Sequence, residues 1–273
     1  MSSARSDTLP VASGFASSRS DALSISRVLY TSGKGGHSSQ FALKGGHVAE
    51  IKVMASAAFK EAYLELVPEF ERTTGHKVVT IWAPSVQMMN RLKGGETVDL
   101  VILSAASLDE LFKSGIISER FDVAKSGVGV AVRAGAPKPD ISSGEALQRA
   151  VLAAKSIVYS TGPSGIYLAG LFQRMGITDA IKPKVKQVQG EPAGASVARG
   201  ESELGFQQVS ELLPVPGIDL VGPLPPDVQE ITTFSAGLHA AAKQPDAARA
   251  LVNFFQAPAA APVIRKKGME PVS

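Results

Sequence analysis

The sequence predicts a two-lobed α/β fold, each lobe a mostly parallel sheet flanked by helices, with a ligand cleft between the lobes. Three observations predict it. Short apolar strands alternate with amphipathic helices from residue 51 onward, a pattern that implies parallel pairing with right-handed crossovers. Four times a strand runs into a cluster of small or hydroxyl residues that opens a helix, at 51–59 (IKVMASAAF), 78–88 (VVTIWAPSVQM), 156–167 (SIVYSTGPSGIY) and 204–211 (LGFQQVSE). A Pro- and Gly-containing stretch at 134–140 interrupts the alternation, which then restarts.

The elements follow in order. Residues 51–54 read as a buried strand, and Phe59, Ala62, Tyr63, Leu66 and Phe70 continue at helical spacing until Gly75 stops the helix. Residues 78–82 are the next strand, 87–93 a helix, 98–103 a strand, and 108–113 a helix before Gly115. Residues 127–133 (GVGVAVR) read as a strand that leads to the break. Beyond it, Ser143 caps a helix through 154, 157–159 form a strand, and 164–175 a helix closed by Gly176. Segments 185–188, 191–198, 204–206 and 218–221 continue the alternation, with Glu191 opening a helix over 191–198. The Pro-rich run 222–227 leads into a strand at 231–239, and helices at 246–256 and 259–267 carry apolar faces that need a partner.

Returning that tail to the first lobe gives the domain division: a disordered leader over 1–48, lobe I over 49–132 plus 234–273, and lobe II over 133–233. Strands near Gly127 and Thr233 would then join the lobes as a hinge. The leader is Ser-, Gly- and Arg-rich with almost no apolar periodicity. It contains no continuous apolar stretch of the signal-peptide kind, because 22–30 (ALSISRVLY) is polar and broken by Arg27.

Charge and composition narrow the function. Of 28 basic and 25 acidic residues, five and two lie before residue 48, which leaves 23 of each in the remainder. The folded part therefore has no electrostatic footprint for nucleic acid. No window approaches the roughly 18 apolar residues of a membrane span. With no cysteine, disulfides, thiolate metal sites and cysteine nucleophiles are absent together. His76 and His239 are each isolated, and no Lys-Ser/Thr signature follows Gly94–Gly95, so no metal or other cofactor is expected. Four small-residue turns converging on a cleft would instead offer free N–H groups at helix starts, which suit a small anion.

The residues resemble the type 2 periplasmic solute-binding proteins, in particular the molybdate-binding branch. The likeness rests on IKVMASAAFKEAY from Ile51, LKGGETVDLVILSA from Leu92, GPSGIY from Gly162 and ARGESELGF from Ala198, and runs from Ile51 to Pro271. Those proteins hold an oxyanion with hydroxyls and backbone N–H groups. The resemblance implies ligand contacts at Ala58 (with its neighbours Ser56 and Ala57), Ser85, Ser164 with Gly165, Gly190, and Gln208 with Gln207. Two of these depart from the family pattern: Ala58 offers only its amide where a serine is expected, and Gln208 brings an amide where a tyrosine is expected. Gln207, Gln208 and Glu191 bring acceptors, which repel an oxyanion and favour a small organic acid. Some relatives resemble an aconitate isomerase, which needs an acid–base pair, and Glu191 and Lys60 are the charged residues that fall beside the turns.

The resemblance implies an anion-binding partner of the membrane subunits of an ABC-type transporter, without chemistry, in the periplasm. The alternative is an isomerase acting on a small tricarboxylate, compatible with a cytoplasmic chain that has no export signal. The sensor half of a transcription regulator shares the fold, but no helix-turn-helix precedes Ile51.

Overall fold

The computed structural model describes residues 48–272, and the leader expectation for 1–48 lies almost wholly outside them. In chain order the elements are β1 (Glu50–Ala55), α1 (Lys60–Thr74), β2 (Lys77–Trp82), α2 (Ser85–Lys93), β3 (Leu100–Ser104), α3 (Ala105–Lys113) and β4 (Ile117–Arg133). They continue with α4 (Gly144–Ala153), β5 (Ile157–Ser160), α5 (Pro163–Arg174), α6 (Thr178–Ile181), β6 (Val185–Val188), α7 (Ala193–Ala198), β7 (Leu204–Gln208) and α8 (Val209–Leu212). The last are β8 (Ile218–Pro223), β9 (Ile231–His239), α9 (Pro245–Gln256), α10 (Ala261–Lys266) and β10 (Glu270–Pro271).

The strands follow the order β2-β1-β3-β9-β4-β7-β5-β6, with β8 and β10 also paired to β4. Pairing is mixed. β1 lies parallel to β2 and β3, and β5 parallel to β6 and β7, whereas β9 and β4 enter antiparallel to their neighbours. β4 belongs to both halves of this arrangement. Residues 117–127 pair with β9, and from Val128 onward the strand pairs with β7 and β8.

At that change of partner the Gln229 side chain completes the ladder. Its oxygen accepts from the Val128 N–H at 2.9 Å and its nitrogen donates to the Val128 carbonyl at 3.0 Å. Sequence periodicity gives only 127–133 of this strand. The missing half carries Glu119, Arg120, Asp122 and Lys125, which break the apolar run, and the first three find partners elsewhere in the chain. Glu119 pairs with Arg249 on α9, and Arg120 with Asp109 and Asp122.

Each half has apolar cores on both sheet faces, which explains why central strands read as continuous apolar runs. Ile51, Val53 and Ala55 face a core with Phe59, Tyr63, Phe70, Phe234 and Phe255, while Met54, between Val53 and Ala55, faces Met88, Leu92 and Leu108. In the second half Ile157 and Tyr159 pack with Phe172 and Phe206, and Val158 packs with Val188 and Val197. Asp99 is buried and fastens α9 to β1: its carboxylate accepts from the backbone N–H groups of Lys52, Lys243 and Gln244 at 2.7–2.9 Å. Among the described residues no helix is long and apolar enough to cross a membrane.

Candidate functional site

A cavity of about 290 Å³ lies where the C-terminal ends of β1, β2, β5, β6 and β7 meet the helices that follow them. All four small-residue turns reach it. The first gives Ser56, Ala57, Ala58, Lys60 and Glu61, and the second Trp82 to Val86. The third supplies Ser160 to Pro163, and the fourth Gln207, Ser210 and Glu211. A fifth turn, Val188 to Pro192, adds to the wall, and Phe234 also lines the cavity.

Two buried hydroxyls in this wall have no hydrogen-bond partner. Ser56 is 5% exposed and Ser210 is 2% exposed, and neither Oγ has a protein partner. Ser56 has a hydroxyl in the N-cap position but does not use it to cap the turn that follows. Leaving such groups dry costs about 1–3 kcal/mol each. Ser85 is the first residue of α2, behind Pro84 as N-cap, with its amide among the unpaired N–H groups of the first turn. Gly190 adopts φ +85° at the exposed rim.

The expected residues separate into two groups. Ser56, Ala57, Ala58, Ser85, Gly190, Gln207, Lys60 and Glu191 line the cavity; Ser164, Gly165 and Gln208 do not. Ser164 is buried behind the turn, 3.4 Å from the Ser160 hydroxyl. Gly165 is a packing residue, since a Cβ there would lie 1.6 Å from the Ser160 carbonyl oxygen and push α5 off the end of β5. Gln208 is wholly buried at the crossing strands. In the orientation that satisfies its surroundings, its nitrogen donates to the Ser126 and Gly127 carbonyls at 3.0 and 3.2 Å, and its oxygen accepts from the Thr232 hydroxyl at 2.9 Å.

Of the two charged candidates, Glu191 is engaged in an ion pair and Lys60, among the described residues, is not. Glu191 does not open a helix: α7 begins at Ala193, after Pro192. Its carboxylate forms a fork with Arg199 at 3.1 and 3.2 Å, and Arg199 is shared with Glu201 in an exposed ion network. Lys60 begins α1 with its ammonium 5.7 Å from the centre of the Trp82 ring, a cation–π placement at the cavity edge.

The group that periodicity and resemblance miss is Glu211. It stands one turn after Gln207, and Gln207 Nε2 donates to its Oε1 at 2.8 Å. Burial pushes this carboxyl up to about 7, against the opposing effect of the Gln207 hydrogen bond. Gln207 is itself held, its oxygen accepting from the Ala193 N–H at 2.7 Å. A signal for this pair was present in LGFQQVSE, where residues 207 and 211 stand four apart across a strand-to-helix turn. A carboxyl that changes charge near neutral pH, beside two unpartnered hydroxyls, can accept a proton or donate a hydrogen bond.

Over residues 51–270 the chain matches the family of bacterial extracellular solute-binding proteins. It is 39% identical over 233 residues to an aconitate isomerase from a Pseudomonas species, covering 82% of this chain and 89% of that one. To the molybdate-binding protein ModA of Azotobacter vinelandii it is 29% identical over 238 residues, covering 81% and 89%. The solved structure of the Azotobacter vinelandii periplasmic molybdate-binding protein superposes with a TM-score of 0.68 at 19% identity, over 82% of this chain and all of that one. That superposition shows the fold.

Proposed function

Because the chain belongs to the bacterial extracellular solute-binding protein family, we propose that its cleft clasps a small polycarboxylate and shifts a proton along it, an isomerisation of the aconitate isomerase type. The observation that carries this reading is Glu211 in the cavity wall. A site for a spherical oxyanion wants donors only. A carboxylate about 4 Å from a bound anion costs about 4 kcal/mol at an effective dielectric constant of 20, roughly a thousandfold in affinity. That cost is useful only if the carboxylate takes up a proton from the ligand. The cavity volume of about 290 Å³ lies at the low end of the range for small-molecule pockets, about 300–1,000 Å³.

The chemistry follows from the lining. Glu211 removes a proton from a carbon next to a substrate carboxylate, and the electron pair of that C–H bond becomes a new C=C bond. The neighbouring C=C pair then takes the proton back from Glu211 at its far carbon, so the double bond moves one position and nothing is gained or lost. The enolate-like charge between these steps is met by the hydroxyls of Ser56 and Ser210, the first-turn amides of α2 and the Lys60 ammonium. Lobe I over 49–132 plus 234–273 and lobe II over 133–233 would hinge at β4 and the approach to β9. The change of strand partner at Gly127–Val128 and the Gln229 clasp support a hinge a few residues before position 132.

A second reading, delivery of the same ligand class to the membrane subunits of an ABC-type transporter without chemistry, is favoured by the family match itself. Thermal shift against molybdate, tungstate, sulfate, citrate and cis- and trans-aconitate tests the ligand class. The tricarboxylates raise the melting temperature on either reading. A shift with molybdate alone refutes both.

A further inference from the structure

We infer that Gln207 is the positioning residue of this cleft: pinned by the first amide of α7, it holds one carboxyl oxygen of Glu211 and leaves the other, Oε2, as the atom that carries the proton. The inference deepens the proton-shift reading and rests on it. Gln207 is 4% exposed, and its backbone is fixed opposite Gly129 in the β4–β7 ladder. The Ala193 N–H that it accepts from can only donate, so the side-chain oxygen must point toward α7. The nitrogen is thereby turned to Glu211, where it can only donate to Oε1. A reversed amide would set N–H against N–H at Ala193 and oxygen against oxygen at Glu211.

Among the described residues no donor bonds Oε2 of Glu211, so one oxygen is tethered and the other is open to the cleft. The tether favours the ionised carboxyl, opposing burial. Few other charges act there. β7 has none, β4 has none over 127–132, and the Ala57–Phe59 turn packed against α8 has none. Lys60, Glu61 and the Arg199-paired Glu191 share the cavity. The Gly268 turn abuts Val209 and Ser210 and brings Lys266 and Lys267, both paired with Glu65.

The test uses the full chain labelled with ¹³C and ¹⁵N. In the wild type, the Gln207 side-chain amide resonance should titrate with the same midpoint as the Glu211 carboxyl carbon. In Gln207→Leu the Glu211 midpoint should rise by about one to two pH units, the loss of one hydrogen bond to a charged group. The low-pH limb of kcat should move with it while KM stays within twofold. A Gln207 amide that ignores the Glu211 titration, or a Glu211 midpoint unmoved in the variant, overturns the inference. If Gln207→Leu does not fold, the wild-type titration alone decides. Neither NMR readout needs turnover, so a protein that fails to isomerise any substrate refutes the reading above without deciding this one.

Discussion

Replacing Glu211 with Gln should stabilise the protein at alkaline pH and leave its stability unchanged at acid pH. The carboxyl sits at about 7 in the folded chain against an ordinary 4.5, because burial penalises its charge. A raised carboxyl value means that the folded state holds the proton more tightly than the unfolded chain. Its contribution is therefore fully present below pH 4.5 and is lost as pH rises through about 7. The displacement corresponds to about 3 kcal/mol above pH 8. Gln is neutral throughout and keeps the shape of the side chain. For a folded part of this size, about 2–4 °C accompanies each kcal/mol, so Glu211→Gln should melt about 6–12 °C above the wild type at pH 8.5. At pH 4.5 the two should coincide. Denaturant melts of both proteins from pH 4.5 to 8.5 measure the gap. A constant difference across that range would refute the reasoning, since it would mean that the carboxyl keeps its ordinary hydration in the folded state.

Two further changes separate ligand contacts from packing. Ser56→Ala and Ser210→Ala remove hydroxyls that have no protein partner, so each should weaken tricarboxylate binding about 3–10-fold by calorimetry while the ligand-free protein loses no stability. A loss of stability without a loss of affinity would reassign both to the scaffold. Gly165→Ala should cost more than about 3 kcal/mol in urea melts or prevent folding, because its Cβ would meet the Ser160 carbonyl at 1.6 Å. A variant that folds normally and binds weakly would return Gly165 to the ligand site.

Much of the fold was legible because the signals are local. The β9 strand is read at 231–239 as the structure has it, and the Ser143 hydroxyl accepts from the Ala146 N–H at 3.1 Å as an N-cap should. The first half of β4 was not legible, because its charges break the apolar run and Glu119 and Arg120 find their partners, Arg249 and Asp109, elsewhere in the chain. At the cleft, small residues at helix starts pointed to the right turns. They could not separate Gly165 and Gln208, which serve close packing and the crossing strands, from neighbours that face the cavity. Glu191 read as a helix opener because nothing local reveals that Pro192 delays α7 or that Arg199 reaches back to it. Glu211 went unseen because its significance lies in burial, which no periodicity in a four-residue helix reports.

The central claim is that Glu211 moves a proton on a ligand held in this cleft. Incubating the protein with cis-aconitate in deuterated water and following it by NMR tests that claim most directly. The wild type should form the trans isomer, with deuterium at the reprotonated carbon in proportion to exchange of the Glu211 proton with solvent before its return, and Glu211→Gln should bind the same ligand with conversion reduced at least a hundredfold. Binding by the wild type with no conversion at stoichiometric protein, or equal conversion by both proteins, would contradict it.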